Sequence, residues 1–379
     1  MGTEVAKKIM FVAGEASGDK HAAKLIAQLH DSERIACYGM GMQKMKQAGM
    51  QLLVDAQPLA VIGIVEILIH YPALRRAFRT LKQSLINEPP DLLVLVDYPE
   101  FNLKLARIAA QRNIKILYYI SPQLWAWRQY RIKKIKHYID HIAVIFPFEQ
   151  DFYEQHKVAV SYVGHPLIED LKAWESNNPE PAAERGETKT VLLLPGSRKS
   201  EIKRLLPLMI QTAKIIRQRL GNDIRFRLLA AADINTDFYR QYLDDADFDC
   251  RLNDKHTYTE MKNADLAISA TGTATLQLAL CGTPLIATHK LAPLSYWILK
   301  WFIKIRYASM PNIIADQALV PEYLQYDATP LKLSEHACKL LNNPDMRKTM
   351  SQNLLALRHS FGTASASKTT AELIHDLIK

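Results

Sequence analysis

The apolar run Leu92-Leu93-Val94-Leu95-Val96 ends on Asp97-Tyr98-Pro99-Glu100-Phe101-Asn102. A carboxylate at the carboxyl end of a buried parallel strand faces the ligand side of a doubly wound sheet. From there Asp97 can take the proton of an attacking hydroxyl, with the strand fixing its position. The plainer role for the same residue is a cap on the helix starting near Phe101. Two other strand ends suit phosphate. Thr190-Val191-Leu192-Leu193-Leu194 runs into Pro195-Gly196-Ser197-Arg198 and then a helix; Asp265–Ile268 runs into Ser269-Ala270-Thr271-Gly272-Thr273-Ala274-Thr275-Leu276-Gln277. Small, hydroxyl-bearing turns at helix starts present N–H groups and the positive end of a helix dipole. Two of them in one half of the chain suggest a nucleotide diphosphate held between them.

Other strand ends carry further candidates. Gly14-Glu15-Ala16-Ser17-Gly18-Asp19 departs from the dinucleotide fingerprint, because Ala16 replaces the middle glycine and the acidic side chains oppose a pyrophosphate. It reads as a polar ligand-side loop or as a glycine turn with a cap. Ser121-Pro122-Gln123-Leu124-Trp125-Ala126-Trp127-Arg128 offers two tryptophans and an arginine. Such residues stack on a sugar, line an acyl-chain groove or anchor packing. The following stretch to His137 is a basic helix with Ile132 and Ile135 on one side, either a solvated face or a contact for an anionic surface. His165 ends a strand and suits structure as well as substrate contact. Asp245-Ala246-Asp247 has the form of a metal-binding pair but lies in an acidic helix-to-loop stretch, and the 12 histidines form no H-E-x-x-H cluster. The expectation is no metal.

These loops need a scaffold that aligns strand ends. Short β-branched runs recur at Ile9–Ala13, Ile35–Tyr38, Leu92–Val96, Ile114–Ile120, His141–Phe146 and Val158–Val163, with helical periods between them. That alternation predicts a parallel sheet covered on both faces. Asn177-Asn178-Pro179-Glu180-Pro181 marks a linker, after which strands return at Val191–Leu194, Ile224–Leu229, Leu266–Ser269 and Leu285–Thr288. From Leu331 the pattern is helical. The fold class is α/β, two doubly wound Rossmann-like domains with an interdomain cleft and a helical C-terminal segment. The expected boundaries are 1–176, a linker at 177–189, and 190–379.

At 379 residues two cores are the default, and 48% apolar content supports a globular chain. A formal charge of +9 favours anionic partners: nucleic acid, phosphorylated metabolites or a membrane surface. Cys37, Cys250, Cys281 and Cys338 are far apart, which argues against a disulfide framework and for a reducing compartment. No run approaches the roughly 18 uninterrupted apolar residues of a spanning helix, and the first strand is too short for a signal-peptide core. Two stretches suit a membrane surface instead. Ala60–Tyr71, with Ile64 and Leu68, is apolar nearly all round. Leu294–Arg306 carries Trp297 and Trp301, with Lys300 and Lys304 on one stripe. A buried interdomain helix would show the second pattern too.

The motifs taken together resemble one family. Val12-Ala13-Gly14-Glu15-Ala16-Ser17-Gly18-Asp19, Gly63-Ile64-Val65-Glu66, the Asp97–Asn102 and Ser121–Arg128 loops, Leu194-Pro195-Gly196-Ser197-Arg198, Thr271-Gly272-Thr273-Ala274-Thr275-Leu276 and Ser309-Met310-Pro311-Asn312 occur in the order and context of lipid-A-disaccharide synthases, bacterial glycosyltransferases of the GT-B type. The resemblance implies transfer of a sugar from UDP-2,3-diacylglucosamine to 2,3-diacylglucosamine 1-phosphate, with inversion and no cofactor. It implies Asp97 as base and Ser197, Arg198, Thr271, Gly272, Thr273, Ala274, Gln277, Ser309 and Asn312 on the UDP-sugar. Glu15, Ser17, Asn102, Gln123, Trp127 and Arg128 match the acceptor side. Gln277 stands where the family often has Glu, and Glu100 where Asp is frequent. The implied setting is peripheral, at the cytoplasmic face of the inner membrane, with homodimerisation a family-level expectation. The competing readings are another UDP-sugar enzyme on the same fold, such as an epimerase, and a non-catalytic basic membrane- or nucleic-acid-binding protein.

Overall fold

The computed structural model describes residues 7–30, 35–59, 66–126, 128–178, 188–231, 234–243, 250–253, 257–292 and 306–379. The chain divides into two compact units, Met1–Glu169 with Phe361–Lys379, and Asp170–Ser360.

The first unit alternates strand and helix: β1 (Lys7–Ala13), α1 (Ala16–His30), β2 (Ile35–Gly41), α2 (Gln43–Gln47), β3 (Gln51–Asp55), α3 (Glu66–Asn87), β4 (Leu92–Val96), α4 (Pro99–Ala110), β5 (Lys115–Tyr119), α5 (Ile132–Tyr138), β6 (His141–Val144), α6 (Pro147–Gln155) and β7 (Val160–Tyr162); α7 (Pro166–Asn177) spans the boundary at Glu169–Asp170. Its sheet has the order β3-β2-β1-β4-β5-β6-β7, and all pairings are parallel. Because side chains alternate along a strand, β1 serves two cores. Met10 and Val12 pack with Leu93, Leu95, Leu81 and Leu105; Ile9, Phe11 and Ala13 pack with Leu92, Val94, Leu25 and Ile26. Each such fully buried aliphatic side chain stabilises the fold by about 1.5–3 kcal/mol, which is why β1 and β4 read as continuous apolar runs.

The second unit repeats the plan: β8 (Lys189–Leu194), α8 (Lys199–Leu220), β9 (Ile224–Leu229), α9 (Asp237–Leu243), β10 (Cys250–Asn253), α10 (Thr257–Asn263), β11 (Leu266–Ala270), α11 (Thr273–Leu280), β12 (Leu285–His289), α12 (Met310–Ala315), β13 (Glu322–Leu324), α13 (Pro330–Asn342) and α14 (Pro344–Ser360). Its parallel sheet runs β10-β9-β8-β11-β12-β13. The helical tail differs from the sequence boundary at 190–379. The final helix, α15 (Ala366–Ile378), belongs to the first unit, where Ala371, Ile374 and Ile378 pack in the same cluster as Ile9, Phe11 and Leu25. A helix can cover any sheet that its connection reaches, and periodicity alone does not say which.

Three strands escaped the sequence reading: β3, β10 and β13, all at sheet edges. An edge strand is covered on fewer sides and carries a weaker apolar signature. Among the described residues no helix is long and apolar enough to cross a membrane, and Cys37, Cys281 and Cys338 are free thiols.

Candidate active site

In both sheets the strand order reverses beside the first strand of the unit, between β1 and β4 and between β8 and β11. Ligands of doubly wound sheets sit beyond the carboxyl ends of strands at such switch points. The four loops flanking them are Gly14–Glu15, Asp97–Tyr98, Pro195–Arg198 and Thr271–Gly272. Ala13 pairs with Val96 and Leu194 with Ser269, so within each unit the two loops leave the sheet at the same level.

At the first switch point Asp97 and Tyr98 both adopt left-handed backbone, with φ of 46° and 49°. This conformation costs a non-glycine residue roughly 1–2 kcal/mol. Several contacts hold it. The Asn102 amide donates from Nδ2 to the Asp97 carbonyl at 2.6 Å and lies 3.3 and 3.5 Å from the carbonyls of Val96 and Val12. The buried Tyr118 hydroxyl donates to the Asp97 carbonyl at 2.8 Å. The Tyr98 ring lies against Gly14, where a Cβ would stand 2.4 Å from it. The tight turn lets α4 begin at Pro99, and the Asp97 side chain stays half-buried at the sheet edge. Burial, and then the charge of Glu15, push the Tyr98 phenol upward, which puts Glu15 beside this cluster. Ser17 is exposed in the same loop.

Two expectations change here. Asn102 is 0% exposed; it braces the backbone of Asp97 instead of facing an acceptor. Asp19 is buried too, and its carboxylate accepts the amides of Met42, Lys44 and Met45, capping α2. The cap therefore serves another helix, not α1, the helix that the loop enters.

The 121–128 loop buries Leu124 and Ala126 and exposes Gln123. Arg128, left-handed at φ 53°, and the buried Arg131 both bind the Glu100 carboxylate. Burial works to raise the Glu100 carboxyl, but the two guanidiniums outweigh it and hold it below the ordinary range. The basic helix expected up to His137 is thus a short 3-10 turn, Gln129–Arg131, followed by α5, with Ile135 in the core. His165 is buried, accepts the Leu167 amide at 3.1 Å and packs on Phe146 and Phe361. Its role is structural.

At the second switch point the two helix starts differ. The amides of Ser197 and Arg198 donate to Glu201 Oε2 at 3.2 and 3.4 Å, and the Arg198 guanidinium lies 3.4 Å from Oε1. The chain's own carboxylate occupies the cradle that sequence assigned to phosphate. The α11 start is open by comparison. Gly272 has φ 129° and nothing within 4 Å of a Cβ, Thr273 is exposed, and no acidic residue lies in the first turn. The first-turn amides of such a helix have no intrahelical partners. Thr275 is buried and ties the turn down, donating its hydroxyl to the Gly272 carbonyl at 2.7 Å. Gln277 lies beside the Tyr258 hydroxyl, which burial pushes well above the ordinary phenol range.

Ser309 and Asn312 depart from their expected place on a donor. They are 0% and 1% exposed, and both bind Glu322 Oε1, at 2.6 Å from the Ser309 hydroxyl and 2.8 Å from Asn312 Nδ2. The Ala308 and Ser309 amides add bonds of 2.9 Å to the same carboxylate. Glu322 therefore organises the start of α12, a role hidden in sequence because its strand is short and at the sheet edge. His289, at the end of β12, was also missed. Burial lowers its pKa, and Glu201, Arg204 and Arg198 act on it electrostatically, so it belongs to this strand-end cluster. Ile64, Trp127, Asp245, Asp247, Trp297, Lys300, Trp301 and Lys304 lie outside the described residues, and Leu68 is described only as backbone within α3.

A family profile described as lipid-A-disaccharide synthetase matches residues 9–374. The chain is 42% identical over 369 residues to a lipid-A-disaccharide synthase of Nitrosococcus oceani, covering 96% of this chain and 95% of the relative. It is 38% identical over 377 residues to that of Trichlorobacter lovleyi, covering 98% of each. Among solved structures it is similar to a calicheamicin glycosyltransferase, with a TM-score of 0.64 at 13% identity over 99% of both chains. It is also similar to a UDP-GlcNAc 2-epimerase of Neisseria meningitidis, with a TM-score of 0.63 at 12% identity over 97% of this chain and 100% of that one. At such identities the structural likeness speaks for the fold alone. The full-length relatives and the family profile speak for the chemistry: the chain belongs to the lipid-A-disaccharide synthase family, glycosyltransferases on the GT-B fold.

Proposed function

We propose that the chain condenses UDP-2,3-diacylglucosamine with 2,3-diacylglucosamine 1-phosphate, giving the β(1→6)-linked disaccharide 1-phosphate and UDP with inversion at the anomeric carbon. The observation that carries the reading is the pair of switch points: an aspartate whose backbone is braced at one, and an open, acid-free helix start at the other. Asp97 takes the proton of the acceptor 6-hydroxyl as that oxygen attacks the anomeric carbon, and the bond to the UDP oxygen breaks. The charge growing on the leaving diphosphate is met by the amides of Gly272, Thr273 and Ala274 and by Arg198. Thr271, Ser197 and Gln277 contact the nucleotide, Gln277 as a ribose partner that donates as well as accepts. Ser309 and Asn312 act one step back, by shaping α12. The first unit takes the acceptor, through Glu15, Ser17, Gln123, Trp127 and Arg128; the second takes UDP-sugar. No cofactor is required.

Both substrates carry acyl chains, so the enzyme works peripherally, at the cytoplasmic face of the inner membrane. Ile64, Leu68, Trp297, Lys300, Trp301 and Lys304 make the contact. Vesicle binding unchanged by charge reversal at Lys300 and Lys304 together with polar substitution at Ile64 and Leu68 would refute that assignment. A homodimer is part of the same reading, tested by its mass in solution.

The central test is UDP release by wild type and Asp97→Ala, with both lipid substrates in mixed micelles and no added metal. Loss of a general base costs about 10²–10⁴-fold, and UDP should still bind. Turnover unaffected by the substitution removes Asp97 from the mechanism. No turnover by wild type, with UDP bound, assigns a different acceptor.

A further inference from the structure

One side chain that this mechanism leaves unused stands behind the 121–128 loop. Glu149 lies in the first turn of α6 and is 2% exposed. Its Oε2 accepts the Phe146 amide at 3.1 Å, and its Oε1 accepts the indole N–H of Trp125 at 3.1 Å. The first bond is the familiar reach of a third-position glutamate back to the start of its helix. A cap does not account for the second bond, which joins α6 to a different segment. A carboxylate this deep is costly unless its oxygens are satisfied, so the indole is part of what keeps it there.

Tyr153, one turn along α6 and fully buried, repeats the pattern. Its hydroxyl lies 3.1 Å from Ser121 Oγ and 3.3 Å from the Pro122 carbonyl. Positions four apart share one helix face, so α6 grips the segment from Ser121 to Trp125 at both ends. The Trp125 ring also stands edge-on to Phe148, at 5.0 Å and 90°. Three residues on, Arg128 turns through left-handed backbone to meet Glu100, in the first turn of the helix that follows Asp97 and Tyr98. The loop thus has a fixed end on α6 and a charged end beside the candidate base.

We propose that Glu149 is a positioning residue for glycosyl transfer: through the Trp125 indole it sets the conformation of the 121–128 loop, and so the placement of Gln123 and Arg128 toward the acceptor. The inference rests on the reading of that loop as acceptor-binding.

The test is kinetics on full-length Glu149→Gln, Trp125→Phe and the double variant, with UDP-2,3-diacylglucosamine and 2,3-diacylglucosamine 1-phosphate varied separately and thermal melts in parallel. Glu149→Gln keeps the volume but sets an NH₂ group against one of the two N–H donors. Trp125→Phe removes the indole N–H and leaves a ring against Phe148. At pH 8, where the Glu149 carboxyl is ionised, each single variant should raise the acceptor KM about tenfold, the worth of one hydrogen bond to a charged group, and leave the donor KM within about twofold. The double variant should be no worse than the poorer single one, because both act on the one contact between Glu149 and the loop. Equal rises in both KM values that track a lower melting temperature, or multiplying effects in the double variant, would reduce Glu149 to a cap and overturn the proposal. If Glu149→Gln is silent while Trp125→Phe or Arg128→Ala raises the acceptor KM, the inference fails and the acceptor-side reading stands. If none of the three moves that KM, the reading fails with it. Should Glu149→Gln not fold, an unchanged acceptor KM in Trp125→Phe overturns the proposal alone.

Discussion

Asn102 gives the sharpest test of how the candidate base is held. Asn102→Ala withdraws the 2.6 Å bond to the Asp97 carbonyl and the longer contacts to Val96 and Val12, while the Tyr118 hydroxyl stays on Asp97 at 2.8 Å. The loss is close to one full buried hydrogen bond, about 1–3 kcal/mol, with about 1 kcal/mol more for the small void. The left-handed pair at Asp97 and Tyr98 stores roughly 2–4 kcal/mol relative to ordinary backbone. The brace is therefore comparable to the strain it opposes, and without it the segment relaxes. A catalytic group displaced by about 1 Å costs on the order of 100-fold. The expected outcome is a fall in kcat of about 10- to 100-fold with UDP binding unchanged, read by UDP release, titration calorimetry and denaturant unfolding. Asn102→Asp is the control for mechanism. It keeps the volume but offers oxygen, not N–H, to the same carbonyls, and should be worse than Asn102→Ala at pH 8. If Asn102→Asp proves the more active, or if Asn102→Ala loses stability without losing kcat, the bracing argument is wrong.

Gly14→Ala drives a methyl group to 2.4 Å from the Tyr98 ring, so it should lower kcat with little effect on UDP binding, while Ala16→Gly in the same loop should do neither; kinetics on both variants decides. Gly272→Ala meets no atom within 4 Å but must hold φ near 129°, which costs about 1–3 kcal/mol. UDP affinity measured by calorimetry should fall about tenfold or more, whereas Glu201→Ala, which releases the Ser197 and Arg198 amides and the Arg198 guanidinium, should not lower it. Burial raises the Glu149 carboxyl to about 7 despite the Phe146 amide and the Trp125 indole. The folded state then holds a proton that the unfolded chain releases near pH 4.5. The stability tied to that proton is complete below the unfolded value and is lost as pH rises through about 7, in total about 3 kcal/mol. Unfolding free energies measured from pH 4.5 to 8 should show that downward slope in wild type and a flatter one in Glu149→Gln.

Much of the fold was legible because the central strands are buried on both faces. Leu92-Leu93-Val94-Leu95-Val96 and Leu266–Ala270 have no exposed position to break the apolar run. The edges were not legible, since Glu322-Tyr323-Leu324 carries no such run, and with it went the role of Glu322. For the candidate site, sequence marked these loops as strand ends but not the direction of their side chains. Asp97 and Asn102 are both polar residues of one loop; only the left-handed turn at Asp97 and Tyr98 decides that one stays at the sheet edge and the other points into the core. Ser309 and Asn312 were misjudged for the same reason. A polar residue after a strand can serve a ligand or serve the backbone, and the choice depends on buried partners distant in sequence. The C-terminal helix shows the limit of periodicity, which gave its apolar face but not the sheet it covers.

The four switch-point helix starts differ in a way that bears on the proposed division of the reaction between the units. A helix start attracts anions through its amides and dipole, so an acidic residue or a proline there is informative. In the first unit, α1 begins beside Glu15 and carries Asp19 in its first turn, and α4 begins with Pro99, which has no N–H, followed by Glu100. Both starts are hostile to a phosphate, and Arg128 and Arg131 beside α4 are both paired with Glu100. In the second unit α8 already holds Glu201, and only α11 combines a glycine entry, hydroxyl-bearing residues and no acidic side chain in its first turn. The chemistry of a leaving diphosphate and that of a deprotonated hydroxyl make opposite demands on local potential. In the proposed reaction, two copies of one topology would meet them by changing what stands in the first turn of a helix.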